Sequence, residues 1–176
     1  MNQRILAFGW LGSLLLLSIF AGVSWLSVEL TPEAGGQSIE VTGYLAFPVI
    51  SALLLLQTAS LFASFFTPTL VGRWIAGLIS PVMVGHGVLV VLGLEAAIET
   101  SLSGSISQIT GVSGVSSQLP FIATAANTYL WIGYLAAIGF NLAVLVSKAF
   151  LNVGPAKKTL EPRSSYDAGD LWESQK

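Results

Sequence analysis

Residues 74–94 read "WIAGLISPVMVGHGVLVVLGL", and the way this run is placed decides the fold. It is apolar throughout except for Ser80 and for His86, the one histidine of the chain. An α-helix rises about 1.5 Å per residue. The hydrocarbon core of a bilayer is about 30 Å thick, so about 20 apolar residues cross it. Residues 74–94 meet that length as a transmembrane helix. Three further segments do the same, giving spans at about 5–27, 43–66, 73–95 and 123–148. Periodicity is uninformative inside such runs, because lipid-facing and protein-facing sides are both apolar; length is the argument. A barrel would show alternating segments of about ten residues rather than unbroken apolar blocks.

Composition agrees. Of 176 residues, 53% are hydrophobic and only 9% charged, with a mean hydropathy of +0.78. A soluble domain carries roughly 25% charged residues, so this chain lacks the material for a water-facing surface. The expected fold class is therefore all-α: a polytopic four-helix transmembrane bundle. The net charge of −2 and the absence of a basic arm point away from nucleic acid. With no cysteine, disulfides, thiolate metal sites and cysteine nucleophiles are excluded.

The charges set an orientation. Arg4, Arg73, Lys148, Lys157, Lys158, Arg163 and Lys176 all fall on one side of the four spans. The two other connections hold Glu29, Glu33, Glu40, Glu95 and Glu99 and no basic residue. Basic residues stay in the cytoplasm, so both termini are expected inside and the protein in the plasma (inner) membrane. The first apolar run exceeds the 7–15 residues of a signal-peptide core, and Trp25 sits where an interfacial anchor would. An uncleaved first span is expected.

The short outer connection contains Pro32 and Gly35-Gly36, which are turn signals. The long outer loop, residues 96–122, is rich in Ser and Gly. Its beginning could continue helix three for a turn or two, and the alternation in "SISQITGV" is opposed by Gly104, Gly111 and Gly114. The loop is expected to be a mobile cap. Its alternative is a docking surface. Pro68 closes helix two into a tight hairpin with helix three, and Ser80-Pro81 is expected to kink helix three. Residues 151–176 form a polar tail, expected to be disordered and cytoplasmic, with Trp172 among acids as a possible recognition motif.

Inside the spans the polar residues carry the information. Asn127, Tyr134, Asn141 and Lys148 recur every seven residues along helix four. Seven steps of 100° leave a drift of about 20°, so they form one stripe. A polar stripe belongs inside the bundle rather than on lipid. Depth arithmetic places His86 level with Tyr134 and Gln57 level with Asn141. These four are the candidate intramembrane polar contacts, each pair expected within hydrogen-bonding reach. Small residues beside them (Gly133, Ala137, Gly139, Ala143; Gly72, Ala76, Ser80; Gly85, Gly87) allow close helix approach. A proton relay wants acids along the path and a metal wants several ligands. Neither is present, so His86 reads as a neutral packing residue. No nucleophile has a base at its depth, so no enzyme, catalytic residue or cofactor is expected.

Four spans in so short a chain, together with "GVSWLSVEL" (22–30), "GYLAFPVISALLLL" (43–56) and the tail "DAGDLWESQK" (167–176), resemble the actinobacterial tryptophan-associated transmembrane proteins, also called Trp-operon-region conserved membrane proteins. Trp172-Glu173 matches in part the Trp-Asp motif with which many of them end, and Ser174-Gln175 depart from it. The resemblance implies a link to tryptophan metabolism and no catalytic residue. The expected function is that of a non-enzymatic accessory or scaffold component, with the lipid bilayer, other membrane proteins or further copies of itself as partners. The alternative is a small oligomeric channel or carrier for an amphipathic metabolite. A sensor that signals through the tail is a third reading.

Overall fold

The computed structural model describes residues 3–150, with side chains from Ile5 onward. Four helices are long and apolar enough to cross a membrane: α1 (Gln3–Gly22), α3 (Val49–Phe66), α4 (Thr69–Thr110) and α6 (Leu130–Phe150). Two single-turn helices, α2 (Gly43–Ala46) and α5 (Val115–Gln118), lie in the connections. In the bundle, α6 packs against α1 and α4 on one side, and α3 packs against the same two on the other. The outside is apolar: Phe8, Phe66, Trp74 and Leu92 are more than two-thirds exposed. The inside holds Ser13, Gln57, His86 and Asn141, all buried. Water would penalise so large an apolar surface, whereas a hydrocarbon solvent rewards it.

The chain is not all-α. Strands β1 (Ser24–Leu30), β2 (Ser38–Thr42) and β3 (Ile122–Asn127) form an antiparallel sheet in the order β2-β1-β3. Ser27 pairs with Glu40 on one side and with Ala126 on the other. This corrects the first span, whose helix ends at Gly22 rather than near residue 27. Trp25 turns inward there, fully buried, and its indole Nε1 donates to the Phe20 carbonyl at 2.8 Å. A helix end leaves carbonyls without intrahelical partners, and this indole satisfies one of them. Trp25 is thus a core residue, not an interfacial anchor. From Ser24 onward "SWLSVELT" alternates and carries β-branched residues, which suits a pleated strand more than a further helical turn. The β1–β2 turn runs through Gly35 (φ 95°) and Gly36 (φ 60°), where only glycine is unstrained.

The fourth span is corrected too. Its helix begins at Leu130, and residues 123–127 belong to β3. Asn127 therefore leaves the expected stripe. Its Oδ1 accepts from the Tyr129 backbone N–H at 2.9 Å, forming the turn that leads into α6, with Tyr129 at φ 56°.

The expected mobile loop 96–122 is mostly helix. At about 1.5 Å per residue, the 42 residues of α4 extend about 63 Å, twice the hydrocarbon thickness. The second half therefore rises beyond the bundle and carries the sheet. Hydroxyls fold back onto this helix: Thr100 on the Ala96 carbonyl, Ser105 on Ser101 and Thr110 on Ile106, at 2.7–2.9 Å. Such bonds spend side chains that would otherwise compete for the backbone. Leu102 and Ile106 pack on Leu30, Ala34 and Ile39 in a second small core beneath the sheet. Gly111 ends the helix at φ 71°, its N–H on the Ser107 carbonyl. The helix is continuous through Pro81, and the Ser80 hydroxyl donates to the Ala76 carbonyl at 2.9 Å. Expectations for residues 151–176, Trp172 included, lie outside the described residues.

Candidate functional site: three polar levels along α6

Tyr134, Asn141 and Lys148 sit on the inner face of α6, the first two buried and the third half-buried. Each anchors one level of polar contact, about two turns from the next.

At the level nearest the sheet, His86 Nε2 of α4 and the Tyr134 hydroxyl lie 2.9 Å apart and share a hydrogen bond. Two further aromatic rings enclose them. Phe47 meets the His86 ring edge-on with centroids 6.4 Å apart, and Trp25 meets Tyr134 at 5.5 Å. The first contact is edge-to-face and the second tilted by 48°; aromatic pairs at such distances add stabilisation beyond area burial. Phe47 reaches the level because Pro48 opens α3 directly after it. Gly43 allows Trp25 its position: a Cβ there would stand 2.5 Å from the indole and 3.0 Å from Ala21 Cα.

The middle level joins three of the four long helices to one acceptor. Gln57 Oε1 of α3 accepts from Asn141 Nδ2 of α6 at 3.0 Å and from the Trp10 indole of α1 at 3.1 Å. Asn141 Nδ2 also donates to Ser13 Oγ at 2.8 Å, and Ser13 donates onward to the Trp10 carbonyl at 2.7 Å. Gln57 Nε2 donates to Met83 Sδ of α4 at 2.8 Å, which brings in the fourth helix. A buried polar group without a partner is costly, and here one atom lacks one: Asn141 Oδ1.

At the third level Lys148 Nζ donates to Ser64 Oγ at 2.8 Å and lies 4.5 Å from the centre of the Trp10 ring, a cation–π contact. Beside it, Arg73 Nε donates to the Ala149 carbonyl at 2.9 Å.

The structure thus brings His86 to Tyr134 and Gln57 to Asn141. The sequence reading missed the residues that complete these contacts: Trp10, Ser13, Met83, Trp25 and Phe47. Trp10 and Ser13 lie in an apolar run where a lone aromatic or hydroxyl carries no positional signal. A spacing clue did exist, since Trp10, Leu14, Leu17 and Ala21 mark one helical face. The small residues divide. A Cβ on Gly133 would overlap the Phe20 ring and one on Gly87 would lie 3.5 Å from Ile138, whereas Gly85 and Gly139 face open space. Among the described residues, no three of His, Cys, Asp and Glu converge as metal ligands.

Comparison of the chain with protein-family models, curated proteins and solved structures finds no match. Its class is defined by its own geometry: four long apolar helices closed by internal polar contacts, with a three-stranded sheet mounted on one end.

Proposed function

We propose that this chain is a non-enzymatic accessory or scaffold component of the plasma (inner) membrane that holds other membrane proteins. The observation that carries this reading is the closure of the intramembrane polar groups on one another. Gln57, Asn141, Ser13 and Trp10 form one network, and His86 and Tyr134 a second pair. Polar side chains used in this way fix helix positions, at about 0.6 to 2 kcal/mol per contact. They do not line a path for a solute. The sheet beyond the bundle supplies a rigid surface, with β3 exposed along its outer edge.

Orientation follows from charge. Arg73 and Lys148 lie at the end of the bundle away from the sheet, and Glu29, Glu33 and Glu40 lie in or beside the sheet. The positive-inside rule puts both termini in the cytoplasm and the sheet outside. A link of this scaffold to tryptophan metabolism is part of the proposal, and it rests on the sequence resemblance to tryptophan-associated transmembrane proteins alone.

The test is chemical crosslinking in native membranes, with identification of what copurifies. A recurrent membrane-protein partner joined through sheet residues is the expected result. Recovery of the chain alone at every crosslinker length would overturn the scaffold reading. Tyr134→Phe and Asn141→Leu separate it from the channel or carrier. Reduced thermal stability is expected of both, and intact assembly with abolished metabolite flux would favour transport.

A further inference from the structure

At the end of the bundle away from the sheet, α1, α3, α4 and α6 surround an open cavity of about 250 Å3. Its polar wall contains Lys148, Arg73, Ser64 and Thr69. Lys148 enters from α6 and Arg73 from the second turn of α4, so two cations from different helices share one small space. The described carboxylates, Glu29, Glu33, Glu40, Glu95 and Glu99, all lie in the sheet, its turns or the sheet-side half of α4. Lys148 therefore has no carboxylate partner among the described residues. It is held by a neutral hydroxyl and an aromatic face instead, and an ammonium has three hydrogens to donate. The first turn of α4 also opens on this wall: Pro68 precedes it without a side-chain cap.

The other wall is apolar. Leu6 of α1 lines it as a buried residue, and Phe65 and Leu70 line it while remaining largely exposed. An open cavity that combines two cations with exposed apolar side chains suits a phosphate joined to acyl chains. Basic pockets between transmembrane helices at the membrane surface take anionic headgroups in this way. We propose that this cavity binds the phosphate of an anionic phospholipid, with Lys148 and Arg73 on the phosphate oxygens and an acyl chain along Phe65 and Leu70.

The test uses the full-length protein in maltoside micelles. Its unfolding midpoint is followed while phosphatidylglycerol, phosphatidylcholine or inorganic phosphate is added, since a ligand that binds only the native state raises the midpoint. Phosphatidylglycerol is expected to stabilise and phosphatidylcholine at equal mole fraction to have little effect. Lys148→Gln is expected to weaken phosphatidylglycerol about fivefold or more, and Lys148→Arg to retain it. Thr69→Glu, on an exposed position of the same wall, adds a like charge without touching the core. It is expected to weaken the lipid as much without lowering the lipid-free midpoint, since a carboxylate beside these cations and at the start of α4 is not destabilising, so the test survives if Lys148→Gln fails to fold. Equal response to the two lipids would overturn the proposal, as would a preference unchanged in both charge variants, because general attraction to an anionic surface explains that. Stabilisation by inorganic phosphate as strong as by lipid would overturn the lipid as occupant.

Discussion

Gln57 Oε1 stands between two donors from different helices, Asn141 Nδ2 at 3.0 Å and the Trp10 indole at 3.1 Å. One carbonyl thus ties α1, α3 and α6 together at mid-bundle, and the remaining polar valence of Asn141, its Oδ1, stays empty. The two ends of the Asn141 amide therefore have opposite worth. Asn141→Leu removes two donated bonds but also an unpartnered acceptor, so a loss of about 1 kcal/mol is expected. Asn141→Asp removes the same donors and turns carboxylate oxygens toward Gln57 Oε1, with a loss of about 3 kcal/mol expected. Unfolding midpoints of the two variants in the same detergent check the order.

His86 and Tyr134 lend themselves to a double-mutant cycle. Tyr134→Phe leaves His86 Nε2 without its partner, and His86→Leu leaves the phenol without one. Combined, the two changes remove a pair rather than orphan a member. The double variant is expected to be more stable than additivity predicts by about 0.6 to 2 kcal/mol. Additive losses would mean that the 2.9 Å contact contributes nothing to stability.

Glycines predict opposite outcomes according to what faces them. Gly43→Ala drives a methyl into the Trp25 ring and the Ala21 backbone, with a loss of about 1 to 3 kcal/mol expected. Gly139→Ala meets open space on α6, and removing a helix-interior glycine is expected to gain up to about 1 kcal/mol. Paired thermal unfolding of the two variants is the measurement.

The sheet-side half of α4 is held by its own small core, so its damage is expected to stay local. Ile106→Asp puts a charge among Leu30, Ala34 and Ile39. Limited proteolysis is expected to cut the region 100–122 in this variant and spare it in the wild type. The bundle itself (α1, α3, α6 and the first half of α4) is expected to remain protected, because none of its mid-bundle contacts passes through Ile106.

With no native cysteine, topology is open to single-cysteine labelling. Gln37→Cys lies in the β1–β2 turn and is exposed; it is expected to react with an impermeant maleimide in intact cells. Lys157→Cys, beyond α6, is expected to react only after permeabilisation. The reverse pattern would overturn the orientation.

Length alone made the four long helices legible, because hydrocarbon thickness imposes it. The meeting of His86 with Tyr134 and Gln57 with Asn141 was legible from two numbers, the rise per residue and the interval of seven. The sheet was not. Ser24–Leu30 follows an apolar run without a break, and the pairings that make it a strand come from β2, across the Gly35-Gly36 turn, and from β3, nearly 100 residues later in sequence. The extension of α4 was legible only for its first turn or two; its full length to Thr110 was not, because Ser, Thr and Gly are poor helix formers in isolation. The stripe Ile98, Leu102 and Ile106 at intervals of four was the available signal. What holds that helix is the packing of Leu102 and Ile106 against the sheet.

The sheet stands on several short supports. β1 leaves α1 through Val23 alone, β3 enters α6 through Thr128 and Tyr129, β2 runs directly into α2 at Gly43, and the continuous rod of α4 braces it from below. The Thr128 hydroxyl locks two of these supports together at the Ser24 carbonyl, 2.6 Å away. Connections this short tie the orientation of the sheet to that of the helices beneath it.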